Sequence, residues 1–161
     1  MHNLRQLLAI AAMGALAACA QQEAPSVCGG DGVTASNAWV RAAGDGQPMS
    51  AAYVELCNGA PTADRLVGVR YDGARAAEIH VTEVSEDGIA SMKPAAGGMP
   101  LPPQEKVALA PGGAHIMLIG LNAPIIAGED AAITLEFENA APMTILFEAK
   151  SPAEAAAHSG H

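Results

Sequence analysis

The sequence is poor in aromatic and in basic residues. Two Phe, two Tyr and one Trp among 161 residues mean that any hydrophobic core must be built mainly from Val, Ile, Leu and Ala. Eight Lys and Arg residues against seventeen Asp and Glu give a formal net charge of −9 at pH 7. Because no basic patch is visible, we do not expect a nucleic-acid partner, whereas the acidic surface would attract cations or a basic docking face.

The apolar run near the N-terminus is too short to cross a membrane. Leu7 to Ala18, preceded by Arg5, predicts a signal peptide over residues 1–18. The run ends in Leu16-Ala17-Ala18-Cys19, the lipobox pattern of bacterial lipoproteins, which predicts acylation of Cys19. The alternative is an ordinary secretory signal with an incidental cysteine. We therefore expect a periplasmic protein held to a bacterial membrane by its lipid only, and Ala20 favours the outer membrane.

Cysteine is scarce and forms no CxxC pair. Once Cys19 is acylated, Cys28 and Cys57 remain, and in an oxidising periplasm such a pair favours a structural disulfide. The alternative is that both supply thiolate ligands to a metal, although neither has a nearby His.

The pattern of the remaining chain is typical of β structure. Apolar and polar residues alternate over residues 133–138 and again at Met143, Ile145 and Phe147, which predicts a final hairpin. Further strands are predicted near residues 38–42, 51–57, 65–71, 77–84, 89–93, 106–109 and 115–119. Turn signals separate nearly all of them, and no amphipathic helix of useful length is present. This pattern predicts an all-β, antiparallel sandwich or barrel.

We predict one domain, residues 37–150, between two flexible segments. Residues 19–36, rich in Gln, Ala, Gly and Ser, are interpreted as the acylated cysteine and its tether. Residues 151–161 lack apolar periodicity and are expected to be mobile. His158 and His161 on this tail are candidate Cu(II) ligands, and the alternative is a solvated terminus with incidental histidines. We expect a monomer.

Two histidines and two methionines form the candidate site: His80, Met92, His115 and Met117. His80 and Met92 flank a turn around residues 85–88, so a hairpin would place them nearly opposite each other, within a residue of register. His115 and Met117 are spaced i, i+2 and share one face of a strand.

Soft, uncharged thioethers combined with imidazoles suit Cu(I) better than other common metals. Taken singly, Met117 is more typical of core filler than of a ligand, His115 of a core histidine with a backbone partner, and Met92 of a cover over a strand end. Taken jointly, the four residues favour a metal site. With no Cys near His80 or His115, a blue-copper electron carrier is disfavoured.

Several segments resemble the periplasmic PCu(A)C copper chaperones. The resemblance covers residues 37–150 and rests on Ala38–Ala42, Ala51–Val54, Asp64–Gly68, Glu78–His80, Met92–Pro94 and Pro111–Leu118. The family pattern is a His, a Met about ten residues on, and His-x-Met about twenty residues further. Eleven and twenty-two residues intervene here.

The resemblance implies a cupredoxin-like antiparallel β-sandwich of Greek-key type, and a carrier that is not an enzyme. His80, Met92, His115 and Met117 would be its Cu(I) ligands. It further implies copper delivery to cytochrome c oxidase assembly, through the copper-accepting periplasmic domain of the oxidase or another assembly chaperone. Many members carry a Met close after the first His, but Val81–Val84 contains none, which leaves Met99 as the nearby candidate for an auxiliary thioether.

Two further functions stay open on the sequence alone. One is a metal-free β-sandwich lipoprotein of the envelope that acts as an adaptor or assembly factor. The other, a hydrolase, lacks support because Ser50, Ser85 and Ser91 stand in no nucleophile-elbow context.

Overall fold

The computed structural model describes residues 28–84, 87–88 and 90–157. Over these residues the chain forms ten strands and one short helix. The elements are β1 (Val33–Arg41), β2 (Met49–Asn58), β3 (Asp64–Arg70), β4 (Ala74–Val84), β5 (Ala90–Pro94), β6 (Met99–Leu101), β7 (Lys106–Leu109), β8 (His115–Leu121), β9 (Asp130–Phe137), β10 (Met143–Lys150) and α1 (Pro152–Ala157). Within the described residues no helix is long and apolar enough to span a membrane.

The strands form a continuous ladder in the order β5-β4-β8-β2-β1-β10-β9-β3-β6, with β7 paired to β2. All described pairings are antiparallel except that between β1 and β10, which runs parallel. The predicted final hairpin is confirmed, with Ile145 of β10 opposite Ile133 of β9. Sequence alternation located the strands, but it carries no information about the one parallel contact.

The two halves of the ladder face each other across one aliphatic core. Val40 of β1 and Leu56 of β2, from one half, are fully buried in the same cluster as Ile133 of β9 and Leu66 of β3, from the other. Phe147 is the largest fully buried side chain. The predicted all-β sandwich with a mainly aliphatic core is therefore confirmed.

The predicted tether extends too far into the domain. β1 begins at Val33, and Cys28 is buried and joined to Cys57 of β2 by a disulfide with a Cα separation of 5.5 Å. Val33 pairs with Asn58, so the early part of β1 lies on the same strand that carries the bridge. The Gly- and Ser-rich composition of this segment did not predict a strand. Its residues are ordered by backbone pairing with β2.

The predicted mobile tail begins instead as the helix α1. Ser151 and Glu154 form a capping box, in which the backbone N–H of Ser151 donates to Glu154 Oε2 at 2.9 Å and that of Glu154 to Ser151 Oγ at 3.4 Å. Pro152 occupies the first helical position, where its missing N–H costs nothing. Ala155 is buried in a small cluster with Trp39 and Tyr53. His158 and His161 lie outside the described residues.

Strand β6 was not predicted. It is three residues long, contains Pro100 and pairs with β3 at the edge of the ladder, where a missing N–H is tolerated. The loop before β6 is held by Arg65 of β3, whose Nε–H donates to the carbonyl oxygen of Gly97 at 2.7 Å. Such a short edge strand leaves no periodicity in the sequence.

Asp64 is a buried carboxylate that ties the start of β3 to the turn after β9. Its oxygens accept backbone N–H groups from Arg65 (2.7 Å), Asn139 (3.0 Å) and Ala140 (2.9 Å). Burial raises the pKa of this carboxyl, but these hydrogen bonds to its charged form outweigh burial and leave the pKa below its ordinary value.

We predict that Asp64→Asn lowers the free energy of unfolding by about 1–3 kcal/mol at neutral pH, because an amide cannot accept all three N–H groups. A lowered pKa in the folded state stabilises above the pKa of the unfolded carboxyl, about 4, and that contribution disappears as the pH falls through the folded value. Urea denaturation should therefore show the deficit of the variant shrinking below about pH 4. Asp45→Asn, at an exposed turn position, serves as the control and should change stability by less than about 0.5 kcal/mol. An equal deficit at acidic and neutral pH would contradict the assignment.

Candidate metal centre

His80 and His115 lie directly opposite each other on the neighbouring strands β4 and β8. Their ring centres are 5.8 Å apart. His115 is buried, and the His80 side chain is 14% exposed. With metal–nitrogen bonds of about 2 Å, two rings at this separation can bind one ion between them.

Both histidines project from the face of the sheet that is turned away from the core. Their chain neighbours Ile79 and Ile116, which face each other across the same two strands, belong to the core cluster. Because successive side chains alternate between faces, the imidazoles point to the opposite side. Trp39 and Tyr53, with ring centres 4.3 Å apart, belong to a separate buried cluster, and the Tyr53 ring lies 6.4 Å from that of His115.

Met117 shares the face of His115, two residues further along β8. It stands opposite Glu78 of β4 on one side and Ala51 of β2 on the other. Its side chain is half-buried and is not a member of the hydrophobic core. This position does not match the core-filler alternative.

Met92 lies on the same face of the sheet as His80 and His115, but it is not opposite His80 as the sequence predicted. It pairs with Thr82, whereas the partner of His80 is Pro94, a shift of two residues from the predicted register. Because side chains alternate with a period of two, this shift preserves the face and makes Met92 a diagonal neighbour of His80. Met92 is 61% exposed, so its thioether stands at the rim of the site.

Hydrogen bonds orient the two imidazoles differently. His115 Nδ1 lies 3.0 Å from the carbonyl oxygen of Gly113, which requires an Nδ1–H donor and leaves the Nε2 lone pair free when the ring is neutral. His80 Nε2 lies 3.0 Å from Glu78 Oε2, which leaves the Nδ1 lone pair free by the same reasoning. Such partners fix the tautomer of a metal-binding histidine.

A cleft of about 400 Å³ connects three of the four candidate ligands. Met92, His115 and Met117 line it, together with Met49, Tyr53 and Arg41 among others. Arg41 Nη2 donates to Tyr53 Oη at 3.4 Å. His80 is not part of the lining, and it reaches the site from the β4 side through its contact with His115.

The other predicted residues lie elsewhere. Met99 begins β6, faces Leu66 of β3 and packs against the core, so it is no auxiliary ligand for this cleft. Cys57 pairs with Lys106 of β7 and is bonded to Cys28, which leaves neither sulfur as a thiolate. Cys19 lies outside the described residues. Among those that are described, no group of three or more His, Cys, Asp or Glu side chains could hold a metal.

The model of the family "Putative lipoprotein LpqE-like" matches residues 33–149. The chain belongs to the LpqE-like family. "Putative lipoprotein Lxx21020" from Leifsonia xyli subsp. xyli (strain CTCB07) is 40% identical over 109 residues, which cover 68% of this chain and 64% of the relative. The LpqE-like chain thus matches less than two thirds of that protein's length.

Solved structures of PCuAC domains share the fold of this LpqE-like chain. "Copper-bound PCuAC domain from PmoF2" is 28% identical with a TM-score of 0.62, and covers 74% of this chain and 93% of its own. "Apo PCuAC domain from PmoF1" has the same identity and TM-score, with 74% and 94% covered. "Solution structure of CuI-DR1885 from Deinococcus Radiodurans" is 26% identical, with a TM-score of 0.57 and 81% and 83% covered. The predicted resemblance to PCu(A)C domains and the cupredoxin-like sandwich are confirmed.

Sequence reasoning missed three residues at the candidate site: Glu78, Tyr53 and Met49. Glu78 precedes His80 by two residues, so the i, i+2 rule that grouped His115 with Met117 was sufficient to place it on the same face. Tyr53 and Met49 had no comparable signal, because their relevance depends on β2 being the neighbour of β8.

The hydrogen-bond geometry predicts opposite tautomers for the two neutral imidazoles in the metal-free protein. Under mildly alkaline conditions, ¹⁵N-correlated NMR should show the proton of His80 on Nε2 and that of His115 on Nδ1. Glu78→Ala removes the acceptor and should convert His80 to a mixture of tautomers, since a free imidazole exchanges between both.

In the same variant the His115 signals serve as the internal control and should keep the Nδ1–H pattern, because Gly113 supplies its acceptor. A single unchanged His80 tautomer in Glu78→Ala would refute the role of Glu78 in orienting this ring.

Proposed function

We propose that this protein is a Cu(I) carrier whose ligands are His80, Met92, His115 and Met117. The observation that supports the proposal is the direct pairing of the two imidazoles across β4 and β8, with thioethers at flanking positions of the same face. Copper is the cargo of such a protein and not a catalytic centre, so no enzymatic activity is proposed.

The chemistry of the donors favours Cu(I) over harder ions. Two imidazoles and two thioethers carry no charge, and soft sulfur ligands select monovalent copper. Both described cysteines are consumed in the disulfide, so no thiolate competes for the ion or holds it tightly. A neutral ligand set of this kind can release Cu(I) to an acceptor that presents thiolates.

The position of the donors suits transfer between proteins. His115 is buried, whereas Met92 is 61% exposed at the rim. An approaching acceptor would meet Met92 first and could replace its thioether while the imidazoles still hold the ion. The names of two structural relatives, a copper-bound PCuAC domain and CuI-DR1885, support copper as the cargo.

We further propose that the carrier is lipid-anchored through Cys19 on the periplasmic side of a bacterial membrane. Support comes from the lipobox residues Leu16–Cys19 and from the lipoprotein names of the family and of the Leifsonia relative. The outer membrane stays the favoured location.

The acceptor we propose is the copper-binding periplasmic domain of cytochrome c oxidase or another chaperone of its assembly. We also propose that His158 and His161 form a separate Cu(II) site on the tail.

Anaerobic Cu(I) titration against a chromophoric chelator tests the ligand set. Residues 20–161, which include every described residue, should compete for one equivalent of Cu(I). In Met92→Leu/Met117→Leu the volume of the side chains is nearly kept while both sulfurs are lost, so competition should fall by at least about tenfold. Met99→Leu makes the same chemical change outside the cleft and should bind like the unmodified protein.

Two results would overturn the proposal. Failure of the unmodified protein to compete with the chelator would favour a metal-free envelope adaptor. Full competition by the double variant that disappears in a protein ending at residue 157 would assign copper to His158 and His161 alone.

A further inference from the structure

Met49 is a third thioether in the cleft, and the four-ligand site does not use it. It begins β2, is 54% exposed and lines the cleft together with Met92, His115 and Met117. Five methionines fall within the described residues, and three of them border this one cleft. The other two, Met99 and Met143, pack against the hydrophobic core.

The register of β2 and β8 places Met49 beside the His-x-Met pair. Ala51 faces Met117 and Met49 faces Ile119, so Met49 and Met117 are diagonal neighbours on one face of the sheet. Diagonal positions in an antiparallel pair lie about 7–8 Å apart, within reach of two long side chains. Since Ala51 is small, it places little bulk next to Met117 in the direction of Met49.

Met49 and Met92 flank the candidate site from different strands. Met92 stands on β5, next to β4, and Met49 on β2, on the far side of β8. Both are exposed by more than half, whereas the remaining exposed large apolar side chains (Val67, Ile126 and Leu146) are not part of the cleft lining. An exposed methionine adds little to folding stability, so its position at the cleft is better explained by its sulfur.

We propose that Met49 is an additional Cu(I)-binding residue that gives the ion a second coordination position in the cleft. The inference rests on the proposed function. In the first position Met92 Sδ binds the ion, and in the second Met49 Sδ replaces it while His80, His115 and Met117 are retained. One copper–sulfur bond forms as another breaks, the ion stays monovalent and no proton moves. An acceptor can thus occupy the Met92 side of the site without release of free copper.

Methionine methyl NMR of residues 20–161 tests the proposal directly. Cu(I) is diamagnetic, so with ¹³C-methyl methionine the methyl signals of Met49, Met92 and Met117 should shift as one equivalent is added anaerobically. Met99 and Met143, which lie outside the cleft, are internal controls and should not move.

Chelator competition provides the second measurement. Met49→Leu should reduce Cu(I) affinity only modestly while Met92 is present. In the Met92→Leu background it should reduce affinity by a further factor of about ten, equivalent to about 1.4 kcal/mol, because no rim thioether is left. Leu146→Ala, an exposed apolar truncation on β10, is the control for unspecific effects.

The outcomes separate this inference from the proposed function. If Met92 and Met117 shift with copper while Met49 does not, and Met49→Leu is silent in both backgrounds, the carrier proposal stands and the role of Met49 is overturned. If no methyl shifts and the unmodified protein does not compete for Cu(I), the carrier proposal itself fails.

Discussion

The antiparallel pairing of β4 with β8 is the constraint on which the candidate site depends. It places His80 opposite His115. The adjacent pair, Ile79 and Ile116, faces the other side of the sheet. The two isoleucines are buried in the core, and a slip of either strand by one residue would turn its imidazole towards the core instead. Burial of aliphatic side chains therefore fixes the geometry of the polar face that carries the candidate ligands.

The rest of the fold supports this pair of strands from both sides. β2 lies next to β8 and is bonded through Cys57 to the segment that leads into β1, so the N-terminal approach to the domain is attached to the strand beside the site. A loop closed by a disulfide over 29 residues of separation stabilises a domain by about 3–4 kcal/mol. On the outer face, Ala155 of α1 is buried with Trp39 and Tyr53, and the Tyr53 ring is the one next to His115.

Much of the fold and part of the site could be predicted from the sequence because alternation is a local property. The i, i+2 spacing of His115 and Met117 required only that β8 be a strand. The relative position of His80 and Met92 was harder to predict from the sequence. The β4–β5 hairpin pairs His80 with Pro94, two residues away from the expected pairing of His80 with Met92. The sequence analysis did not predict helix α1, although Ser151 and Glu154 are spaced as a capping box. A helix of six residues is too short to show an apolar periodicity.

The sequence by itself determined which side chains share a face, the soft and uncharged character of the candidate ligands, and the β class of the domain. These properties follow from residue type and near spacing. Only the tertiary structure decided that β8 lies between β4 and β2, which brings His80 to His115 and Met49 to the cleft and removes Met99 from it. Strand neighbours distant in the chain are selected by burial of the whole core. No local pattern in the sequence encodes that choice.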